Sequence, residues 1–356
     1  MRIGTEGDHI GKAKQRGGIG TLDFAHAQGL DGVFFKSILD VSPTLDLGEL
    51  REAKAHANTL GLYLEVGIGR INPYNTAESP HVRLLGGGDY RKAMVAMIEA
   101  ARAIDCTELW AETATYKSDA TGYFVFDRFR SDVTWEDQLL AIAKFLSALA
   151  PVLRDQGCRV NIETHEEITS FEVVRLIESV GPDVAGATLD TANVLARCED
   201  PIAATRRLAP YTHTTHIKDA ILVFGEQGLL RQVRACGEGV VDWDAVIGIL
   251  AEYSPNLNLS LEDSKGLMTI PIYDPLWQAA HPDLTPGELA EVVRLATSCE
   301  RRIAHGEALD AATYEAIPLA EQQLDNMRAS VQHLRAILEA RGLATPAPAA
   351  SARSQA

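Results

Sequence analysis

The stretch Val160-Asn161-Ile162-Glu163-Thr164-His165 decides the fold, because a short, largely apolar run closes on a carboxylate and an imidazole. Thr188-Leu189-Asp190, Thr214-Thr215-His216 and Ser260-Leu261-Glu262 end the same way. Short β-rich runs bounded by Gly, Pro or Asp read as strands, here at Val160–His165, Gly186–Asp190, Thr212–His216 and Leu257–Glu262. Upstream, Ile3–Glu6, Gly32–Lys36, Leu62–Gly67 and Glu108–Glu112 have the same character, which makes eight strands. Between them the period becomes helical, most clearly at Leu47–Thr59, Tyr90–Ile104, Trp135–Asp155, Phe171–Ser179 and Trp243–Tyr253. In the third of these, Leu139, Ile142, Phe145, Leu146, Leu149 and Leu153 fall on one face. Asp132 or Thr134 is its expected N-cap, Gly157 its stop, and Pro151 an expected kink in its last turn. Strict alternation implies a parallel sheet, and eight units in about 260 residues predict an α/β protein of the (β/α)8 TIM-barrel type. No G-x-G-x-x-G follows a strand, which removes the main sign of a doubly wound sheet.

Three stretches interrupt the repeat: Thr115–Val133, Leu222–Gly239 and Lys265–Pro286, after the fourth, seventh and eighth strands. Insertions after strands lie on the C-terminal face, where barrel enzymes keep their active sites, so a lid or a partner contact is expected there. Two helical stretches follow, one from Gly287 to about Ala304 and one over Pro318–Arg341. Leu324, Met327, Val331, Leu334 and Leu338 give the second an apolar stripe that packs on the barrel or on another subunit. The expected division is a barrel over 1–286, a helical extension over 287–343 and a disordered Ala/Pro/Ser-rich tail over 344–356.

Composition narrows the function. The 356 residues are 46% hydrophobic and carry 33 basic against 49 acidic side chains, a formal charge of −16. Disordered and fibrous classes are out, and no basic field exists to attract nucleic acid or an anionic membrane. The longest apolar runs, such as Phe145 to Leu153, are too short for the roughly 20 residues a bilayer needs. Met1-Arg2-Ile3-Gly4 leads straight into a strand, which predicts a cytoplasmic chain without a signal peptide. Five cysteines with no C-x-x-C pair are expected to be small packing residues.

The barrel brings the ends of consecutive strands 5 to 8 together at its axis. Glu163, Asp190, His216 and Glu262 then form three carboxylates and an imidazole whose mutual repulsion a divalent cation relieves. The set has oxygen and nitrogen donors only, which suits Mn²⁺, the favoured ion, or Mg²⁺, Co²⁺ or Zn²⁺. Alternate strand residues share a face, so His165 is expected to look into the mouth beside Glu163 as a general base. Lys36, Glu65, Trp110, Glu112, Asn193, Lys218 and Asp219 sit at or near strand ends and are candidates for binding substrate hydroxyls or for a structural role. His213 falls earlier in its strand and is expected to pack within the wall. The aromatic insertion with Tyr116, Tyr123, Phe124, Phe126 and Phe129 either stacks on a ligand or anchors a loop.

Glu163, then Asp190-Thr191-Ala192-Asn193, His216-Ile217-Lys218-Asp219, Cys236-Gly237-Glu238-Gly239 with Asp242-Trp243, and Glu262 resemble the xylose-isomerase-like barrel group of sugar isomerases and epimerases. The resemblance covers about residues 1–263 and implies one divalent metal on the four matching residues. Endonuclease IV shares that fold with more metal-binding histidines, and the acidic charge here argues against DNA. Asn161-Ile162-Glu163-Thr164-His165-Glu166-Glu167, with the Lys265–Pro286 insertion and the helical C-terminus, is similar to the α subunit of bacterial C-glycoside deglycosidases. That likeness implies a metal barrel that works with a small β-sandwich partner and releases the aglycone from C-glycosides oxidised at the sugar 3-position; the long insertions and amphipathic C-terminal helix separately predict a homo- or hetero-oligomer.

The expected function is therefore a metal-dependent lyase that cleaves the C–C bond of 3-oxo-C-glycosides, with His165 taking the C2 proton. The alternative is a sugar or sugar-phosphate isomerase or epimerase in which Glu163 and Glu262 exchange the proton. A non-catalytic sugar-binding barrel is the third reading.

Overall fold

The computed structural model describes residues 1–9, 13–76, 79–114, 116–117 and 120–345. Thr115 of the first insertion and residues 346–356 of the expected tail lie outside the described residues. The strands are β1 (Arg2–Glu6), β2 (Gly32–Phe35), β3 (Tyr63–Arg70), β4 (Glu108–Glu112), β5 (Arg159–Glu163), β6 (Ala185–Asp190), β7 (Thr212–His216), β8 (Asp219–Gly225), β9 (Gly228–Arg234), β10 (Asn258–Leu261) and β11 (Leu267–Ile270). Eight of them form one parallel sheet in the order β10-β1-β2-β3-β4-β5-β6-β7, and these are the eight the sequence predicts.

The sheet closes just beyond the end of β7. Ile217 bridges to Leu261, with its N–H 2.8 Å from the Ser260 carbonyl and its own carbonyl 3.0 Å from the Glu262 N–H. The Thr215 hydroxyl adds a stitch, donating to the Asn258 carbonyl (2.9 Å) and accepting from the Ser260 N–H (3.2 Å). Inside the barrel Tyr63 lies across Gly32; a Cβ at Gly32 would fall 2.2 Å from its ring, so only glycine fits there.

The main core lies between this sheet and the outer helices, and includes Leu22, Met94, Leu146, Leu176 and Trp243. The helix Trp135–Gln156 starts at Thr134, whose side chain accepts from the Asp137 N–H, and ends at Gly157 in the left-handed region, φ 61°. It runs on past Pro151 to Gln156. From the C-terminal helix Leu319–Ala340, Met327, Leu334 and Leu338 enter the same core, while Leu324 is partly exposed. Backbone bonds tie Ala344 to Leu338 and Thr345 to Met1.

The insertions build a second layer over the C-terminal face. β8 and β9 form an antiparallel hairpin to which β11 adds an edge. Leu222, Leu229, Ile270, Trp277, Val292 and Ala296 pack a separate small core there. Its tight turn depends on Gly228, at φ +145°, where a Cβ would meet the Ile270 carbonyl oxygen at 2.5 Å. All five cysteines are buried and free. No helix among the described residues is long and apolar enough to cross a membrane.

Candidate metal centre

Threonine hydroxyls hold the ends of β5, β6, β7 and β10 in register. Thr164 accepts from the Asp190 N–H (2.8 Å) and donates to the Asp190 carbonyl (3.2 Å), locking β5 to β6. Thr191 makes the same pair of bonds to Lys218, at 3.2 and 2.6 Å, locking β6 to β7, and Thr215 locks β7 to β10. The four candidate ligands ride on these joined ends. Glu163, Asp190, His216 and Glu262 are all buried and each offers one donor atom within 4.8 Å of every other.

Each ligand is oriented by a neighbour. Asp190 Oδ1 accepts the N–H groups of Ala192 (3.0 Å) and Asn193 (2.9 Å), which turns Oδ2 toward the Lys218 ammonium, 2.8 Å away. The Trp110 indole N–H donates to Glu163 Oε2 (2.9 Å), and the Asn193 amide to Oε1 (3.4 Å). Arg231 of β9 donates to Asn193 Oδ1 (2.9 Å), which fixes the amide with its nitrogen toward Glu163. The His216 ring lies against Phe34, with centroids 4.7 Å apart.

Carboxylates outnumber the nitrogen groups that face them. His216 Nδ1 is 3.1 Å from Glu163 Oε1 and 3.4 Å from Glu262 Oε2, so two carboxylates face one nitrogen, while buried Nε2 has no hydrogen-bond partner among the described residues. Lys218 Nζ is 2.8 Å from both Asp190 Oδ2 and Glu262 Oε2. Lys36 Nζ lies between Glu262 Oε1 (3.3 Å) and Glu6 Oε2 (3.4 Å). Four carboxylates thus face two ammonium groups and one imidazole, and the hard donor set suits a divalent ion.

Proton affinities record the same crowding. Burial alone would push Glu163 up and His216 down. Their mutual attraction instead draws Glu163 down to about 2 and, with Glu262, raises His216 to about 10. Burial and the carboxylates of Glu262 and Glu163 outweigh Lys218 and lift Asp190 to about 7. Against burial, Lys218 and Lys36 hold Glu262 well below the usual carboxylate range.

β5 ends at Glu163, so His165 stands two residues out on the following loop, its Nδ1 2.5 Å from a Glu167 oxygen. Burial opposes its charge, yet the carboxylates of Glu167, Glu163 and Glu112 raise it well above the usual histidine range. Glu112 pairs with Arg70 at 3.2 Å. The structure therefore gathers Lys36, Asn193, Lys218 and Trp110 directly onto the ligand carboxylates, with Glu112 and His165 beside them.

Glu65 is elsewhere. Its carboxylate bonds to Asn258 (2.7 Å) and Ser260 (3.3 Å), and Asn258 pairs with Arg2 at the start of β1, toward the N-terminal end of the barrel. Asp219 is also apart, accepting from the N–H groups of Ala220, Gly237 and Val241 and from the Trp243 indole. It staples the hairpin to the Cys236-Gly237-Glu238-Gly239 loop. His213 lies in the wall near Gly186, and burial lowers it to about 4. In the aromatic insertion, Phe126 is buried, Phe129 packs on Tyr123 (4.5 Å) and the Tyr123 hydroxyl bonds Asp274 (2.9 Å). Tyr116 and Phe124 are left exposed. Glu6, Glu167 and Arg231 were not among the expected site residues. Glu6 ends β1 in a carboxylate, the very signal that found the ligands.

Residues 22–283 match the family model of the xylose isomerase-like TIM barrel, and the chain belongs to that family. Among known proteins it is 28% identical over 199 residues to the uncharacterised protein YihM of Escherichia coli K12, covering 56% of this chain and 60% of that protein. It is 24% identical over 129 residues to 3-oxo-isoapionate decarboxylase of Pectobacterium atrosepticum, covering 36% of this chain and 46% of that protein. The chain thus spans about half the length of these relatives. Among solved structures, D-psicose 3-epimerase from Clostridium cellulolyticum H10 superposes with a TM-score of 0.58 at 14% identity, over 95% of this chain and 99% of that one.

Proposed function

We propose that this member of the xylose isomerase-like family is a divalent-metal-dependent lyase, with Mn²⁺ as its ion, that cleaves the C–C bond of 3-oxo-C-glycosides. The observation that carries the reading is the contrast between His165 and the two glutamates. Glu163 spends both oxygens on Trp110, His216 and Asn193, and Glu262 spends both on Lys36, Lys218 and His216. Neither is arranged as a free base. His165 stands next to them, partly open, with Nδ1 its one engaged nitrogen among the described residues. A relative named for decarboxylating a 3-oxo sugar acid supports C–C cleavage beside a ketone.

Glu163, Asp190, His216 and Glu262 would hold the cation, which would supply Lewis acidity toward the ketone and positive charge opposing the carboxylates that keep His165 protonated. His165 then takes the C2 proton. The C1–aglycone bond breaks with its electron pair going to the aglycone carbon, C1=C2 forms, and the proton held by His165 goes to the aglycone carbon. No oxidant is consumed. Lys36, Glu112, Asn193 and Lys218 meet the sugar hydroxyls. A small, separately encoded β subunit, or a second copy of the chain, covers the mouth, where Tyr116, Phe124, Tyr273 and Leu276 are exposed.

A panel of 3-keto-C-glycosides, free ketoses and ketose phosphates, followed in parallel for aglycone release and sugar interconversion, tests this reading. Aglycone release that stops in chelator and in His165→Ala, with ion and substrate still bound, supports it. Interconversion of a ketose without cleavage of any C-glycoside gives the site to the epimerase reading. Ligand binding without turnover gives it to a sugar-binding barrel.

A further inference from the structure

Within Glu163-Thr164-His165-Glu166-Glu167 the chain leaves β5, and its last three side chains take separate directions. Glu166 pairs with Arg231. Glu167 turns inward and is completely buried, although nothing in the sequence distinguishes it from its acidic neighbour. Among the described residues its two oxygens have one partner each: Oε2 lies 2.5 Å from His165 Nδ1, and Oε1 accepts from the Thr113 hydroxyl at 2.5 Å. The Glu167 main-chain carbonyl accepts from Arg128 Nη1 (3.1 Å), and Arg128 in turn holds Glu172 (2.8 Å) and the Ala280 carbonyl. The insertion after β4 and the one after β10 thus clamp the short loop that carries both His165 and Glu167.

A buried carboxylate is retained against its desolvation cost only where it is well bonded. Here both bonds serve to fix one imidazole. An oriented acceptor on one ring nitrogen sets the rotation of the ring about its side-chain bonds and decides which nitrogen carries the fixed proton. With Nδ1 committed to Glu167, Nε2 is the nitrogen left for the mouth, and the His165 side chain is 20% exposed, enough for its free edge to be reached.

We propose that Glu167, held by Thr113, is the positioning residue of His165, fixing Nδ1–H so that Nε2 alone exchanges the proton with substrate. The proposal rests on the reading of His165 as the proton-transfer group. Glu167 touches no ligand of the cation cluster and acts only through the imidazole.

The experiment is a double-mutant cycle with Glu167→Gln, His165→Ala and the pair, on the metal-loaded full chain. Glu167→Gln should lower kcat about 100-fold, with KM changed less than about twofold and one ion per chain retained. The pair should be no slower than His165→Ala alone, because a positioning residue has nothing left to position. Losses that multiply, or a joint fall in ion content and substrate binding, would mean a structural role and overturn the proposal. Thr113→Val, which spares the carboxylate, should lower kcat in the same direction by a smaller factor, and it replaces Glu167→Gln if that variant does not fold.

A second measurement needs no substrate. In ¹⁵N-histidine-labelled protein loaded with diamagnetic Mg²⁺, His165 should show a low-field Nδ1–H resonance that disappears in Glu167→Gln. Absence of that resonance in the unaltered protein refutes the positioning role. If no C-glycoside is cleaved, the reaction assignment fails by itself, and the resonance still decides for or against Glu167.

Discussion

Ion uptake at the four-residue cluster should release protons, and the amount follows from the crowding described above. In the ion-free protein Glu163 and Glu262 outweigh burial and raise His216 to about 10, while burial with Glu262 and Glu163 lifts Asp190 to about 7. Both shifts are upward, so both groups keep their protons to higher pH than usual, and a ligand atom must lose its proton before it can bind. At pH 7 nearly every His216 and about half of Asp190 are protonated, so binding releases about one to two protons per ion. From pH 7 to 8 the His216 contribution to affinity is about tenfold and that of Asp190 nearly twofold, a combined gain of about 20-fold. From pH 6 to 7 both groups titrate and the gain is steeper, about 50-fold. Titration calorimetry of chelator-stripped protein with Mn²⁺ at pH 6, 7 and 8, in pairs of buffers with different ionisation enthalpies, measures affinity and proton release together. A binding heat that does not depend on the buffer, with a Kd unchanged across this range, would refute the argument. Glu262→Gln, which removes one ligand charge, should abolish uptake in the same instrument.

Three further outcomes are expected. Burial, opposed by Ser170 and Arg207, raises Glu199 to about 7, so its stabilising contribution is complete in acid and is lost as pH rises through 7. Urea unfolding should show up to about 3 kcal/mol lost between pH 4 and 8, a slope that Glu199→Gln flattens. Leu334 is completely buried in the main core, so Leu334→Ala should cost about 2–5 kcal/mol in the same assay; a surface-like value would detach the C-terminal helix from the barrel. Light scattering should find the chain associated, either alone or when co-expressed with its gene neighbours, and a monomer in both cases refutes the proposed subunit.

The barrel was legible because its strands are short β-rich runs closed by turn residues and separated by helical periods, and the ligand set because four successive runs end in a carboxylate or an imidazole. The hairpin β8–β9 left no such trace. Ala220-Ile221-Leu222-Val223 is apolar throughout, since one side of the hairpin packs into the second core and the other against Cys299, so the alternation of a half-exposed strand is missing. Its turn, Glu226-Gln227, carries none of the Asn-Gly or Asp-Gly chemistry that marks a two-residue loop. Glu167 was hidden for another reason: a carboxylate in a polar pentapeptide reads as solvated, and only the change of direction after Glu163 brings it beneath an imidazole.

Glu65 and Glu6 show what the strand-end rule requires in order to work. Chemistry gathers at the C-terminal ends of barrel strands, so an acidic residue is informative only if its strand stops there. β3 runs on to Arg70 through a bulge at Gly67 to Gly69, which leaves Glu65 near the start of its strand, bonded to Asn258 at the other end of the barrel. The expected strand ended at Gly67, and that three-residue difference moved a carboxylate from the mouth to the base. β1 does stop at Glu6, whose carboxylate reaches Lys36 and through it Glu262. The same rule, applied to the first strand as it was to the last four, places Glu6 among the charges that Lys36 must balance. Lys36 is thereby divided between a ligand carboxylate and a carboxylate that ligates nothing. Removing Glu6 would leave more of its charge to Glu262, which ties the first strand of the barrel to the electrostatics of the last.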